Sequence, residues 1–589
     1  MKAIFDWKGQ SLVLNSVFIL VNLMGVTLIT MGFHPNFETV MLPLILSGLA
    51  ILLVSVIGLI IFKGKLFMSL VSRVLVGGLF IVSGLIKAND PIGFSYKLEE
   101  YFEDGALAFR IKEWFGLPGF SLEFLIDFAL FFSVLICIIE IVLGVLVLIG
   151  AKIKFTSWML LLTMLFFTFL TWHTANCDAN KKFLDRDTYS YNDPIGIAKR
   201  EEAKTNKEIK IVSDTKEEIV VDEMKQPQCV TDCGCFGDAM KGSVGRSLTP
   251  SESLWKDYLL LYFVAWIFLT QKRILPNTTK ENMYILPISL GVILFFSYVF
   301  GWYFPVFFGF ICLVTALWIN RMGGKYLGNY WGSALSVVII CILFVAYVLR
   351  YEPLKDYRPY AEGNNLRQKM FDGVQGKYVS MLVYKNLKNG EVKEFDASSK
   401  EYINSKIWEK VTAWKYDTMV TKEIVATRLP SITSQFNPTI QSQEIGKEEK
   451  SLKFIQDLIK KSNVNNTVIN EVSLRDYITK APLIYVLFSK DLAKIELDEL
   501  NDIKDVFYNS TKKHVPFIFV SNALRPQINA FRKKHHFPVA SFSNDITELK
   551  AISRSNPSLL VIANGKVIGK FPGKSIPSYD WIKKHTLNK

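Results

Sequence analysis

Four cysteines in one polar stretch are the residues of this chain best suited to covalent chemistry. Cys177 closely follows an apolar run, and Cys229, Cys233 and Cys235 lie in "CVTDCGCFGDAMKGS" (229–243). Outside a reducing compartment such thiols meet disulfide-forming catalysts. Four cysteines permit three pairings, and spacing alone does not choose among them. A bond directly between Cys233 and Cys235 would close a very small ring, and strained bonds are the more readily reduced and exchanged. Gly234 and Gly237 let the backbone turn that tightly. Cys233 and Cys235 are therefore the candidate exchanging thiols, with Cys177 and Cys229 as resolving or structural partners. Two readings compete. The bonds could simply staple a loop, or four sulfurs with His173 nearby could hold zinc. The C-x-C spacing suits zinc poorly, so no metal site is expected.

Long apolar runs must carry this stretch. Half of the 589 residues are hydrophobic, 44 of them Phe, and the runs lie almost wholly before residue 350. Crossing a bilayer takes about 20 apolar residues. The sequence predicts nine spans, at 11–32, 41–62, 67–87, 124–150, 155–174, 254–271, 284–302, 303–320 and 333–350. No cleavage site follows the first run, which reads as a retained helix. Lys63, Lys65, Arg73, Lys152, Lys154, Lys272, Arg273, Arg321 and Lys325 all fall on one side if the N-terminus is cytoplasmic. Residues 175–253 and 351–589 then face outward, the arrangement of a bacterial inner-membrane protein with a periplasmic C-terminal domain. The net charge of +14 fits this bias and contact with membrane lipids. No basic nucleic-acid module is present, and no nucleic-acid partner is expected.

Three cysteines, Cys137, Cys312 and Cys341, sit inside apolar runs and read as small core residues. Charged residues there are costly and face protein or water. Arg73, Lys87, Asp90 and Glu140 are the candidate intramembrane polar residues. One reading is a polar pocket for a quinone, a proton or a thiol substrate. The other is a structural pair of Glu140 with Arg73 or Lys87. Lys256 and Asp257 are expected at the interface. Residues 88–123 suit an amphipathic segment at the membrane surface. The charged run 180–228 reads as a flexible insertion.

After Arg350 the composition turns soluble. Residues 378–395 read as a hairpin turning at Asn389-Gly390, and 446–462 have helical spacing. Strands are expected at 481–489 and 515–521, helices at 490–512 and 526–535, a hairpin at 557–571, and a helix from Pro577. This order specifies an α/β domain of thioredoxin type. The segment after its central strand, "LFSKDLAKIE" (487–496), has no cysteine, and none follows Cys341. The domain is therefore expected to be redox-inactive. Pro557 matches a thioredoxin's cis-proline position, where an extended peptide can bind through main-chain hydrogen bonds.

"RVLVGGLFIVSGLIKANDPIGFSYKLEEYF" (73–102), then Glu140, then "DCGCFGD" before "KDYLLLYF" resembles the DoxX/MauE group of four-helix membrane proteins over residues 67–272. The layout, with "DYRPYAEGNN" (356–365) after the last span, is also similar to long DoxX proteins of Bacteroidota. The resemblance implies work beside a thioredoxin-like partner in making disulfide-rich periplasmic proteins, or coupling to a quinone.

The expected architecture is an α-helical polytopic membrane protein with a DoxX-like four-helix bundle and a C-terminal α/β thioredoxin-like domain. Its parts are two helices in 1–66, the bundle in 67–272 with the cysteine insertion 175–253, and three helices in 273–350. A small β-rich domain in 351–445 and the thioredoxin-like domain in 446–589 complete it. The expected function is periplasmic thiol–disulfide handling in envelope biogenesis, as an oxidoreductase component acting on a protein client or thioredoxin-like partner. The alternative is a non-enzymatic scaffold or receptor whose last domain docks envelope or secretion machinery.

Overall fold

The computed structural model describes residues 17, 19–22, 24–25, 47, 50–57, 65–206, 208–230, 234, 236, 239–240, 248–322, 330–371, 373, 377–387, 391–396, 414–425, 439–441, 471–473, 478 and 481–586. The chain divides into two units, residues 1–357 and 358–589. The first two expected spans fall mostly outside the described residues; the parts described, such as 50–57, are helical.

Among the described residues, seven helices are long and apolar enough to cross a membrane: Phe67–Asn89, Glu123–Ile149, Ile153–Ala175, Pro250–Thr270, Thr279–Val299, Phe304–Met322 and Trp331–Arg350. They coincide with the third to ninth expected spans. The helices are α1 (Lys65–Asn89), α4 (Ala129–Ile149, entered through a 3-10 turn), α5 (Ile153–Ala175), α7 (Pro250–Thr270), α8 (Thr279–Val299), α9 (Phe304–Met322) and α10 (Trp331–Arg350). Two shorter helices, α2 (Pro91–Phe102) and α3 (Phe109–Phe115), lie between α1 and α4. Local chemistry sets several ends. Reciprocal capping boxes start α7 (Thr249 with Glu252) and α8 (Thr278 with Glu281), and Gly150 in the left-handed region stops α4.

The four helices α1, α4, α5 and α7 pack together, with α8, α9 and α10 added against α1 and α4. The α1–α4 crossing is close because small residues permit it. A Cβ added at Gly84 would meet Ile141 at 2.8 Å and the Glu140 side chain at 3.0 Å. That approach brings residues one turn further along α1 onto the polar side of α4.

The insertion corrects the sequence reading. Residues 180–228, expected to be flexible, form β1 (Phe183–Ser190), α6 (Pro194–Thr205), β2 (Ile209–Asp214) and β3 (Glu218–Lys225). The antiparallel sheet has the order β1-β3-β2. Its charges are spent across strands: Arg186 forks onto Asp222 with bonds of 2.6 and 2.8 Å, while Ile209, Ile219 and Val221 form a small core with Tyr189 and Tyr191. At its root, Asp185 is buried with Lys112 and Lys225. Lys225 also meets Asp187 at 2.6 Å, and Lys112 meets Asp104 at 3.7 Å. Burial pushes the Asp185 carboxyl up, but hydrogen bonds from the two lysines outweigh it and leave the group below its ordinary value. Its contribution is therefore full at neutral pH and fades as pH falls below the usual carboxylate range, near pH 4. We expect amide exchange in β1 and β3 to lose protection there before the membrane helices do, in pH-stepped hydrogen-exchange mass spectrometry.

The second unit begins at Arg358; the expected parts there are a small β-rich domain in 351–445 and a thioredoxin-like domain in 446–589. The first residues after the joint belong to the α/β fold. Tyr360, Leu366 and Met370 join its core, and Gly363 N–H and Leu366 N–H donate 2.8 Å bonds to the carbonyls of Val567 and Gly565. After α11 (Leu366–Phe371), β4 (Lys377–Asn386), β5 (Val392–Asp396) and β6 (Trp414–Val425) form an antiparallel sheet in the order β5-β4-β6, and β7 (Thr439–Gln441) pairs with β8 (Glu471–Ser473). The expected turn at Asn389-Gly390 and helix at 446–462 lie outside the described residues.

The main sheet is β11-β10-β9-β12-β13, built from β9 (Ile484–Ser489), β10 (Phe517–Ser521), β11 (Ala540–Ser543), β12 (Ser558–Ala563) and β13 (Lys566–Pro572). β9, β10 and β11 run parallel, β12 runs antiparallel to β9, and β13 runs antiparallel to β12. Helices α12 (Leu497–Lys512), α13 (Arg525–Lys534), α14 (Ile546–Ile552) and α15 (Tyr579–Thr586) complete it. β9 is buried along its whole length, as expected of a central strand. The pair β11 and α14 was not read from the sequence, although Asp545 caps α14.

Candidate functional site

The charged residues of the bundle sort into two places. Near the C-terminal end of α4, Arg73 donates to the carbonyls of Val147 and Leu148 at 2.9 and 3.0 Å and to Asn277 Oδ1 at 2.8 Å. It caps a helix end and does not meet Glu140. Toward the opposite end, Lys87 on α1 pairs with Glu140 Oε1 on α4, and both side chains are buried. Of the two partners expected for Glu140, the structure takes Lys87. Lys87 also donates to Ser83 Oγ at 3.3 Å and lies 4.4 Å from the centre of the Phe167 ring and 5.5 Å from that of Phe94. Glu140 Oε2 has no hydrogen-bond partner among the described residues. Asp90 has another role: its Oδ1 accepts from Gly93 N–H at 2.9 Å and caps α2.

A second pair faces the first. Asp257, expected at the interface, is buried on α7. It meets Lys256 Nζ at 2.9 Å and accepts from Thr171 Oγ1 at 3.0 Å. A cavity of about 20 Å³ lies between the pairs, lined by Ser83, Lys87, Glu140, Lys256 and Asp257 with apolar walls that include Met164, Phe167 and Phe236. Pattern reading missed Asp257 and Phe236. The available signal was that Asp257 sits two turns into a helix whose first turn is already capped.

Described residues of the cysteine stretch, Phe236 and Ala239 among them, pack at this end of the bundle. Cys177, just past α5, is bonded to Cys229 with their Cα atoms 5.6 Å apart, which spends those two sulfurs on each other. Cys233 and Cys235 lie outside the described residues. Their described neighbours in sequence, Gly234 and Phe236, are both buried. Gly234 has φ +63°, and a Cβ there would lie 2.9 Å from Lys97, so glycine is required twice over. Phe236 packs on Phe300 with ring centres 4.8 Å apart, and Lys256 Nζ lies 4.8 Å from its ring centre. His173, once weighed as a zinc ligand, is packed between Tyr101 and Phe109. Its two ring nitrogens have no hydrogen-bond partner among the described residues.

The last span exits at the same end. Asn89, at the end of α1, donates to the Lys355 carbonyl at 2.8 Å and accepts from the Lys355 amide at 3.2 Å, and Tyr357 OH bonds the Phe300 carbonyl at 3.1 Å.

In the second unit, the loop after β9 is held from within. Asn556 Oδ1 accepts from Lys490 N–H at 2.6 Å, Asp491 N–H at 3.1 Å and Ser489 Oγ at 3.1 Å. Asn556 Nδ2 returns a 2.8 Å bond to the Asp491 carbonyl. The Asn556–Pro557 peptide is cis. Pro557 is buried, and its carbonyl already accepts from Gly573 N–H and Ser555 Oγ, each at 2.9 Å. The carbonyl of Pro557 is thus taken up by the domain's own donors.

Among the described residues one acidic group, Asp104, Asp185 and Asp187, is clustered closely enough to hold a metal ion. Lys112 and Lys225 already neutralise it.

No curated protein and no solved structure matches the chain. The segment from α1 through α5, which supplies Lys87 and Glu140 but ends short of Cys177 and α7, matches the family model described as methylamine utilisation protein MauE at residues 65–176, and over that segment the chain is similar to this membrane family.

Proposed function

We propose that this protein handles thiols and disulfides at the outer face of a bacterial inner membrane, within cell-envelope biogenesis. Cys233 and Cys235 are the exchanging pair and Cys177–Cys229 is the structural bond. The observation that carries the reading is the burial of Gly234 and Phe236, the residues flanking Cys235, at a bundle end that holds two ion pairs. Exchange there is a closed set of steps. A loop thiolate attacks the disulfide of a client or thioredoxin-like partner, forming a mixed disulfide and expelling one partner thiolate. The second loop thiolate attacks the mixed bond, leaving Cys233–Cys235 oxidised and the partner a dithiol. The two protons lost by the loop thiols end on the two partner sulfurs. The reverse sequence reduces the loop.

A quinone was expected as a candidate acceptor. Lys87 and Lys256 suit its carbonyl oxygens and Phe167 and Phe236 suit its ring. No step here runs through it.

We read the second unit as a thioredoxin-like fold that has lost its redox pair. Its support is the strand order, the buried central β9 and the cis Asn556–Pro557 bond ahead of β12. A second reading draws on the same unit. The bonding of Asn556 to the loop after β9 closes the place where a redox pair would sit, which favours a scaffold that docks envelope machinery through another surface.

The test replaces Cys233 with Ser in the full chain. A stalled, reductant-sensitive adduct on Cys235 is expected on non-reducing gels, with client oxidation impaired. No adduct from Cys233→Ser or Cys235→Ser, together with normal client oxidation, would leave the scaffold reading in its place.

A further inference from the structure

We propose that the cavity between the two ion pairs holds an ordered water and is a proton-exchange site linking Glu140 to Asp257. The inference rests on the thiol reading for its purpose, since a thiol must shed its proton before it attacks, but it stands on separate geometry. A buried carboxylate oxygen without a hydrogen bond is an unfulfilled acceptor. Glu140 Oε2 is one, in a side chain only 2% exposed. One water needs roughly 10–15 Å³ and two to four polar partners. The cavity offers about 20 Å³, with Ser83, Lys87, Glu140, Lys256 and Asp257 around it. Two ammonium groups make it unfit for a metal cation.

α1 brings Lys87, and α4 brings Glu140, with Cys137 one turn earlier. α7 brings Lys256 and Asp257. Among the described residues, α5 and the cysteine stretch bring no charge to the cavity, only Met164, Phe167 and Phe236. The step balances in one proton. A proton entering from the aqueous mouth is taken up by the Asp257 carboxylate and passed to the bridging water, which gives one of its own protons to Glu140 Oε2, so that Asp257 and the water end as they began. Glu140 becomes neutral and Lys87 keeps its charge. The ammonium is then still held by Ser83 Oγ and by the rings of Phe167 and Phe94 at 4.4 and 5.5 Å, contacts that favour a cation. This explains why aromatic rings surround a lysine that already has a carboxylate.

Met164 reports on the water. It lines the cavity but is 2% exposed, whereas Met68, 0% exposed in the same bundle, does not line it, and Met224 in β3 is accessible. Radiolytic hydroxyl-radical footprinting of the full chain in lipid nanodiscs should oxidise Met164 alongside Met224 and spare Met68. Ser83→Val should abolish Met164 labelling while leaving the other two unchanged. After mild reduction, the pH profile of maleimide alkylation at the loop thiols should shift in Glu140→Gln and in Asp257→Asn, the second serving if the first fails to fold. Met164 as silent as Met68 overturns the proposal. So does labelled Met164 with pH profiles that superimpose on the parent. Trapping of a partner on Cys235 is scored separately, so the exchange reading and this site can fall independently.

Discussion

Lys87→Ala is expected to lower the stability of the membrane unit by about 3–5 kcal/mol, the cost of leaving one member of a buried ion pair without its partner. Both side chains are enclosed, and Glu140 has no other hydrogen-bond donor among the described residues. Glu140→Ala should cost less, because Lys87 keeps Ser83 and two aromatic rings. The double change to Lys87→Met and Glu140→Met should recover much of the loss, since apolar replacements of similar volume often match a buried pair. Thermal unfolding of the four proteins in one lipid system would check the order. Equal losses for both single changes would show that the rings do not support Lys87.

Asn556→Ala should have the next largest effect, in the second unit. One side-chain oxygen gathers two amides of the loop after β9 and the hydroxyl of Ser489 at the end of β9. Removing it strands those donors, at about 1–3 kcal/mol for each that stays out of water. Some of them would rehydrate, so we expect about 2–3 kcal/mol in total. The Lys490 and Asp491 amides should exchange faster with deuterium in the full chain, while β10 and β11 keep their protection. Unchanged exchange at Lys490 and Asp491 would mean that the loop holds itself.

The apolar runs were legible because crossing a bilayer imposes one length and one composition, and all seven described spans fall where hydropathy put them. The α/β order was legible for a related reason: β9 and β10 are buried throughout, so they appear as unbroken apolar runs. Three features were not legible. The insertion looked disordered because its charges were counted and not paired; Arg186 with Asp222 and Lys199 with Glu223 lie on neighbouring elements that only the fold brings together. The place of Tyr360 and Leu366 in the α/β core was hidden because they pack on strands more than a hundred residues later. Asp257 was assigned to the interface because sequence gives depth along a helix but not the direction a side chain takes around it. Its partner Thr171 is on another helix. The choice of Lys87 over Arg73 for Glu140 has the same origin. Both lie on α1 in apolar surroundings, and only the α1–α4 crossing decides which one meets Glu140.

The bonded pair Cys177 and Cys229 brings the two ends of a fifty-residue excursion to within 5.6 Å. In engineering terms the insertion has a single doorway, and a graft could replace everything beyond it without rerouting the chain between α5 and α7. The buried ion pair at the threshold would be the chief debt, beside the Glu113–Lys181 pair and the Phe109–Phe183 ring contact. Lys112 stays with the bundle side and depends on Asp185, which would leave with the insertion. Any substitute must therefore return a carboxylate to that spot, or Lys112 must be changed along with it.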